Sequence, residues 1–273
     1  MIRTDSHLHC MFSSDSNTPM EEMILTAIEL ELSAICMTDH YDMDFPVTEE
    51  GMDFYLDTDA YLAEFSHLKE QYKDKINLYI GVELGIMPSL GQKLPAYLAR
   101  YADAFDFVIG STHIVDGFDP YNPLYYGSFS DERDGMRRYL EVNLSNLETF
   151  DGMDTFAHLD YAVRYAPHKD EFYIPSDHFD IIDICLKKLI QKGISLEFNT
   201  AGLKYGMKQA NPHIDILKRY RELGGELITI GSDGHQPKHM AWDFKTGEEI
   251  LKTAGFTYYA FYQKREPVML KLD

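Results

Sequence analysis

The sequence predicts an α/β fold: a (β/α)7 barrel with a metal site at the carboxyl ends of its strands. Apolar runs typical of buried strands alternate with segments of helical periodicity, and this unit recurs seven times along the chain. Strict alternation implies parallel strands joined by right-handed crossovers. A polar residue able to bind an ion or a substrate follows each strand. A barrel mouth collects residues from every strand, whereas an open sheet gathers its site at one switch point.

The strand predictions rest on short apolar runs that end in polar or turn-forming residues. The first run ends in His7 and His9, whose side chains point to the same face because successive residues of a strand alternate. The predicted strands cover residues 1–9, 34–38, 76–84, 105–111, 155–158, 194–199 and 227–231, with a short terminal strand over 257–261.

The helix predictions rest on apolar residues recurring at i, i+3 and i+4, together with start and stop signals. Thr18-Pro19-Met20-Glu21 is a capping-box pattern with proline at the first helical position. Gly193 and Gly255 stop two later helices. The predicted helices cover residues 19–31, 59–72, 94–102, 131–149, 176–192, 211–224 and 245–254, and 114–130 is predicted to be a turn-rich loop.

Length, charge and cysteine usage narrow the class of protein. We treat residues 1–273 as one domain, because we find no linker, repeat or low-complexity tract. No apolar run approaches the roughly 20 residues that cross a bilayer, and we see no signal peptide, so no membrane partner is expected. Three cysteines without paired spacing favour a reducing cytoplasm. A net charge of -20 argues against a nucleic-acid partner. The oligomeric state is left open.

Candidate site residues concentrate at the predicted strand ends. Six of the eleven histidines lie there, together with several acids. Histidine and carboxylate ligands suit Zn²⁺, Mn²⁺, Fe²⁺ or Co²⁺, and this many ligands suit two or three ions rather than one. A satisfied polar network in the core is the structural alternative. The strand-end residues are His7, His9, Asp39, His40, Glu83, His113, His158, Glu197, Asn199, Asp233 and His235.

The order of these motifs resembles the PHP (polymerase and histidinol phosphatase) superfamily. The resemblance runs from residue 5 to residue 235, and the runs over 106–113, 158–164 and 197–203 are similar to its histidinol-phosphate phosphatase branch. It implies a distorted (β/α)7 barrel with three divalent metal ions. The motifs are His7-x-His9, Thr38-Asp39-His40, Gly81-x-Glu83, Ser111-Thr112-His113, His158-x-Asp160 and Ser232-Asp233-x-His235.

The resemblance also implies how the ligands are shared. Glu83 would bridge two ions, and Asp15 occupies the place where many members carry a further histidine. Asp39 and Asp160 are expected to orient neighbouring histidines from outside the ligand shell. The implied ligand sets are His7, His9, Glu83 and Asp233 for the first ion, Glu83, His113 and His158 for the second, and His40, His235 and Asp15 for the third.

Such a site implies hydrolysis of a phosphate monoester. Two ions sharing Glu83 would lower the pKa of a bridging water, and the resulting hydroxide would attack phosphorus. Arg164 and Lys204 are the best-placed cations for the substrate phosphate, although lysine lacks the bidentate fork of arginine. The proton for the leaving group would come from a metal-bound water, Asp160 or Asp42, and the sequence does not choose among them.

The expected substrate is L-histidinol phosphate, an intermediate of histidine biosynthesis. Its amine is cationic, and the acidic segment over residues 41–60, with Asp42 and Asp44, is a candidate to bind it. Three alternatives stay open: another small phosphate ester such as a nucleotide or phosphotyrosine, an exonuclease substrate, or a metal-binding regulatory module without turnover. A complete set of ligand residues argues against the last of these.

Overall fold

Parallel strands form the centre of the fold, which confirms the predicted α/β class. The computed structural model describes residues 1–46 and 51–273. The strands of the described residues are β1 (Thr4–Leu8), β2 (Ala34–Met37), β3 (His40–Tyr41), β4 (Asn77–Gly85), β5 (Phe107–Ser111), β6 (Thr155–Phe156), β7 (Ser195–Asn199), β8 (Ile228–Gly231), β9 (Tyr258–Gln263) and β10 (Glu266–Lys271).

Helices connect the strands. They are α1 (Met20–Glu29), α2 (Thr58–Tyr72), α3 (Lys93–Arg100), α4 (Pro123–Gly127), α5 (Glu132–Thr149), α6 (Phe179–Lys192), α7 (Ala201–Lys204), α8 (Ile214–Glu222) and α9 (Phe244–Thr253). Gly193 ends α6 as predicted, with a φ of 68° that glycine adopts without strain. No helix within the described residues has the length and apolar character needed to cross a membrane.

The seven main strands pair in parallel in the order β1-β2-β4-β5-β6-β7-β8, and the short β3 pairs with β4. At the carboxyl end, an isolated bridge joins Leu8 of β1 to Gly234, just after β8. The N–H of Asp233 donates to the carbonyl of His7 at 2.9 Å, and the N–H of His9 donates to the carbonyl of Gly234 at 3.0 Å. The first and last of these strands therefore meet where their polar side chains lie.

The hairpin of β9 and β10 covers the amino-terminal end of the strands. Phe261 and Tyr262 of β9 pack with Ala34 and Cys36 of β2 and Phe107 of β5 in one buried cluster. At the hairpin turn, Arg265 donates to the carbonyl of Gly152 at 2.7 Å and also pairs with the carboxylate of Asp154. This end of the barrel is filled by side chains, which leaves the carboxyl end for a site.

Several local predictions were wrong or incomplete. Thr18 does not cap α1: Pro19 is the N-cap residue and makes no side-chain cap, while Thr18 Oγ1 donates to the carbonyl of His235 at 3.1 Å. The region 114–130 contains the short helix α4. The predicted strand over 257–261 corresponds to β9, but β10 was not predicted, because its exposed residues carry no buried apolar pattern.

Candidate metal centre and active site

Glu83 lies at the centre of the candidate site. It is fully buried on β4, in register with His40 of β3, and Ser111 Oγ donates to its Oε1 at 2.5 Å. Burial raises the pKa of Glu83, but the surrounding imidazoles outweigh it and hold that pKa well below its usual range. The imidazole nitrogens around it are His7 Nε2 (3.1 Å), His9 Nε2 (3.4 Å) and His40 Nδ1 (3.0 Å) at Oε2, and His113 Nε2 (3.3 Å) and His158 Nε2 (3.2 Å) at Oε1.

Several of these buried atoms have no hydrogen-bond partner among the described residues. A buried polar atom without a partner is costly, so a cluster of such atoms facing one space needs a common partner. Imidazole nitrogens and carboxylate oxygens are the ligands that borderline divalent cations prefer. The residues therefore fit divalent metal ions. The atoms without partners include His7 Nε2, His9 Nε2, His40 Nδ1, Glu83 Oε2 and His235 Nε2.

The first group of potential ligand atoms consists of His7, His9 and Asp233. Asp233 Oδ1 lies 4.0 Å from His7 Nε2 and 3.6 Å from His9 Nε2, beside Glu83. Gly231 makes this approach possible, because a Cβ there would lie 2.3 Å from the Cβ of His7. Asp233 itself has a φ of 53°, an unusual conformation for a residue other than glycine, which turns the chain just after β8.

The second group joins Glu83 to His113 and His158. The other ring nitrogen of His113 lies 2.6 Å from Asp42 Oδ2, which fixes the ring so that Nε2 faces Glu83. His113 and Asp42 also form a group with His40. Asp42 thus lies beside the candidate ligands and contacts one of them, His113.

The third group brings His40 and His235 together with His9. The ring of His9 stacks on both, with centroids 4.2 Å and 4.0 Å apart. Asp15 Oδ2 lies 3.1 Å from His235 Nε2 and 3.8 Å from His40 Nε2. Burial alone would raise the pKa of Asp15, but these two imidazoles lower it to about 2. The resemblance did not assign His9 to this group, and the structure puts it between the first group and the third.

The two expected supporting aspartates behave differently. Asp39 accepts from Ser13 Oγ at 2.7 Å, and Ser13 Oγ lies 3.1 Å from His9 Nδ1, so Asp39 reaches a histidine through one hydroxyl. Asp160 accepts from Asn211 Nδ2 at 2.7 Å and from the backbone N–H of His213 at 2.9 Å. Among the described residues, its two oxygens therefore bond to an asparagine and a backbone amide rather than to any of the clustered histidines.

The two predicted cations both lie beside Asp233. Arg164 is 2% exposed, and its Nη1 donates to Asp233 Oδ2 at 2.9 Å. Lys204 Nζ donates to the backbone carbonyl of Asp233 at 3.1 Å, and burial lowers the pKa of this lysine. Arg164 faces a cavity of about 80 Å³, which Lys204 does not line. The other residues lining the cavity are Asp15, His40, Asp42, Phe45, Phe54, His113, Asp119, His158, Tyr161, Tyr165, Tyr205, Asp233 and His235.

Comparison with known proteins identifies the family. The PHP domain family matches residues 5–201. The chain belongs to the PHP domain family. A histidinol-phosphatase of Lactococcus lactis is 32% identical to this PHP protein over 258 residues, which cover 94% of this chain and 93% of the relative. A probable histidinol-phosphatase of Clostridium acetobutylicum is 32% identical over 96% of this chain and 97% of its own.

Two solved structures are similar to this PHP protein over most of its length. Histidinol phosphate phosphatase from Lactococcus lactis, crystallised with zinc, L-histidinol and phosphate, matches with a TM-score of 0.86 at 29% identity and covers 98% of this chain and 99% of its own. A putative histidinol phosphatase from Listeria monocytogenes matches with a TM-score of 0.79 at 19% identity, covering 89% of this chain and 99% of its own. The second match supports the fold alone.

Sequence reasoning gave no role to several residues of this PHP site. Glu197 was noted only as a strand-end residue, yet its Oε1 lies 2.5 Å from His7 Nδ1 and its Oε2 accepts from the N–H of His158 at 3.0 Å. Its alternation with Asn199 on one face of β7 was the available signal. Asp119 and Asn211 gave no such signal, because both lie in loops outside the strand ends.

Proposed function

We propose that this PHP protein is a metal-dependent phosphomonoesterase that hydrolyses L-histidinol phosphate to L-histidinol and phosphate. The observation that carries the proposal is one cavity that is lined both by buried metal-type ligands and by Arg164. Relatives named histidinol-phosphatase at 32% identity over nearly the full chain support the choice of substrate.

Three divalent ions fit the ligand groups. His7, His9, Asp233 and Glu83 would hold the first, Glu83 with His113 and His158 the second, and His40, His235 and Asp15 the third, with His9 adjacent. Zinc in the Lactococcus lactis structure supports zinc here, and the donor set suits manganese, iron or cobalt as well. Bound divalent ions supply Lewis acidity, which neutralises phosphate charge and acidifies water.

Arg164 is proposed to bind the phosphate group. A guanidinium has five N–H donors. Among the described residues, Arg164 uses one each for Asn211 Oδ1 (2.7 Å), Asp233 Oδ2 (2.9 Å) and Asn199 Oδ1 (2.9 Å). That leaves one N–H on each terminal nitrogen for phosphate oxygens, because Arg164 lines the cavity. Lys204 would add positive charge behind Asp233 without touching the substrate.

The amine of the substrate requires a different carboxylate from the one the sequence suggested. Asp42 is committed to His113 and Asp44 pairs with Lys93, while residues 47–50 of the acidic segment lie outside the described residues. Asp119 lines the cavity, and burial raises its pKa. We assign the ammonium group to Asp119, because pairing with a cation would offset the cost of burying this carboxylate.

The leaving-group proton has a better source in Asp42 than in Asp160. Asp42 lines the cavity, and its Oδ1 is buried without a hydrogen-bond partner among the described residues. Asp160 does not line the cavity, and both its oxygens accept hydrogen bonds elsewhere. In the proposed reaction, Asp42 Oδ1 relays to the departing alkoxide a proton that the attacking water has released, while Oδ2 stays bonded to His113.

The test is a comparison of kcat/KM for L-histidinol phosphate, p-nitrophenyl phosphate and a dinucleotide on zinc-loaded and manganese-loaded protein. We expect a preference of about 10³-fold for histidinol phosphate, equivalent to ~4 kcal/mol of transition-state binding. Chelation should remove activity, and restoring the metal should return it. Equal rates on the two monoesters would contradict the substrate assignment. Turnover that is indifferent to chelation would contradict the metal mechanism.

The second candidate is another small phosphate monoester. The ligand groups and Arg164 would serve any such ester, and among the described residues Asp119 and the aromatic walls are the features that distinguish the alcohol part. The cavity of about 80 Å³ and the net charge of -20 disfavour polymeric nucleic acid.

A further inference from the structure

We propose that Asn211, held in turn by Asp160, is a positioning residue that fixes the guanidinium of Arg164 for binding the phosphate group. The inference rests on the proposed phosphate role of Arg164. It assigns to Asp160 a task different from orienting a histidine or transferring a proton. Three buried side chains form the relay: Asp160, Asn211 and Arg164 are 1%, 0% and 2% exposed.

The orientation of the Asn211 amide follows from its two neighbours. Arg164 Nε lies 2.7 Å from Asn211 Oδ1, and a guanidinium can only donate. Asp160 Oδ1 lies 2.7 Å from Asn211 Nδ2, and a carboxylate can only accept when ionised. The amide oxygen must therefore face the arginine and the amide nitrogen must face the aspartate. The relay therefore links the negative charge of Asp160 to the positive charge of Arg164 through a single orientation of the Asn211 amide.

Asn211 also lies on a fixed part of the barrel. Its backbone pairs with that of Asn199 at the end of β7 through two hydrogen bonds of 2.7 and 2.9 Å. The two asparagines therefore hold the guanidinium from two sides, Asn199 at Nη2 and Asn211 at Nε. The rings of Tyr161 and Tyr205 lie 5.1 and 5.5 Å from the guanidinium carbon. Arginine is otherwise a flexible side chain, and these contacts leave it one orientation.

A purely structural role for the same residues makes a different prediction. Asp160 also accepts from the backbone N–H of His213, the N-cap residue of α8, so it anchors the loop before that helix. If loop anchoring were its whole role, changes at Asp160 or Asn211 would lower stability and would act independently of Arg164. The relay predicts instead that their effect on phosphate passes through Arg164.

The experiment measures binding of inorganic phosphate to zinc-loaded protein by calorimetry, together with kcat/KM for p-nitrophenyl phosphate. Asn211→Ala should weaken both by roughly 10–100-fold, the usual effect of losing a hydrogen bond to a charged group. In an Arg164→Met background the same substitution should change kcat/KM by less than about twofold, because the residue it positions is gone. Zinc content should be unchanged in the Asn211 and Asp160 variants, whose side-chain hydrogen bonds go to no candidate ligand; Arg164 contacts Asp233, so the Arg164 variants are compared at full zinc loading.

A charge-preserving exchange provides the rescue. In Asp160→Asn alone, the amide NH2 takes the place of one accepting oxygen. It then faces another donor, either Asn211 Nδ2 or the N–H of His213, and that donor is left unpaired. In the double variant Asp160→Asn/Asn211→Asp, the carboxylate at position 211 accepts from Arg164 Nε. The amide at position 160 donates to that carboxylate and accepts from the N–H of His213. Every hydrogen bond of the relay is restored. Phosphate affinity should return to within about threefold of wild type.

Asn143→Ala is the matched control, since Asn143 is fully buried and donates to the carbonyl of Leu159 at 2.8 Å without touching Arg164. Its effect should be additive with Arg164→Met. Equal losses from Asn211→Ala in both backgrounds would overturn the inference, as would failure of the exchange to restore phosphate affinity. If Asn211→Ala does not fold, the phosphate affinities of Asp160→Asn and of the double variant Asp160→Asn/Asn211→Asp test the inference without it. Failure of the wild type on histidinol phosphate would overturn the proposed substrate but leave this test intact.

Discussion

Replacing Glu197 with glutamine tests whether a carboxylate behind His7 controls metal binding. Both oxygens of Glu197 accept: Oε1 lies 2.5 Å from His7 Nδ1, and Oε2 accepts from the N–H of His158 at 3.0 Å and from Asn199 Nδ2 at 3.1 Å. Glutamine keeps one acceptor oxygen. If that oxygen faces His158, the amide nitrogen faces His7 Nδ1, whose proton must move to Nε2. Nε2 is the atom that faces Glu83, so this tautomer cannot bind a metal there.

The opposite orientation is no better, because the amide nitrogen would then oppose the two donors of His158 and Asn199. Either arrangement should lower zinc affinity by about 10–100-fold, or ~1.4–2.7 kcal/mol, the usual effect of removing an outer carboxylate. The assay is calorimetric titration of chelator-treated protein with zinc. Glu248→Gln is the control, since Glu248 is also buried but accepts from the N–H of Ile2, away from the clustered histidines. Zinc affinity unchanged in Glu197→Gln would refute the reasoning.

Three further outcomes are expected. Glu83→Gln should reduce kcat by about 10³-fold or more and lower the metal content measured by emission spectroscopy, because the charge proposed to bridge two ions is lost. Wild-type metal content would contradict the ligand assignment. Arg265→Ala should lower the free energy of unfolding in urea by about 2–3 kcal/mol, because Asp154 loses its ion pair, while kcat of the folded protein stays unchanged. The hydrogen bond from Arg219 holds the pKa of Asp183 below its ordinary value in the folded protein. The pair therefore stabilises the protein fully at pH values above the pKa that Asp183 has in the unfolded chain. This stabilisation is lost as the pH falls through the pKa that Asp183 has in the folded protein. The unfolding free energies of wild type and Asp183→Asn should therefore differ near about pH 6 and converge near about pH 2.

The parallel sheet and the gathering of polar residues at one end were predictable from local patterns. Period-two alternation put His7 and His9 on one face, and strand ends identified the neighbours of Glu83. These residues do lie together in the structure. Their roles as ligands stay predictions, since proximity alone does not measure binding.

Contacts between distant segments were not predictable. Thr18 matched a helix cap, but the carbonyl of His235 competes for its hydroxyl in the folded chain. Asp160 stood beside a histidine in sequence, yet its oxygens face Asn211 and the backbone of His213. Glu197 contacts His7, which is 190 residues away in the sequence. Such pairings depend on how loops cross the barrel mouth, and no periodicity encodes them.

The filling of the barrel by β9 has a consequence for synthesis on the ribosome. All the candidate ligands, from His7 to His235, emerge before Phe261 and Tyr262, the side chains that pack against β2 and β5. A nascent chain therefore contains every candidate ligand before it contains the hairpin that covers the opposite end of the strands. Contacts so far apart in sequence form late and slowly. During that interval the amino-terminal end of the strands lacks the cover that Phe261 and Tyr262 give it in the finished fold.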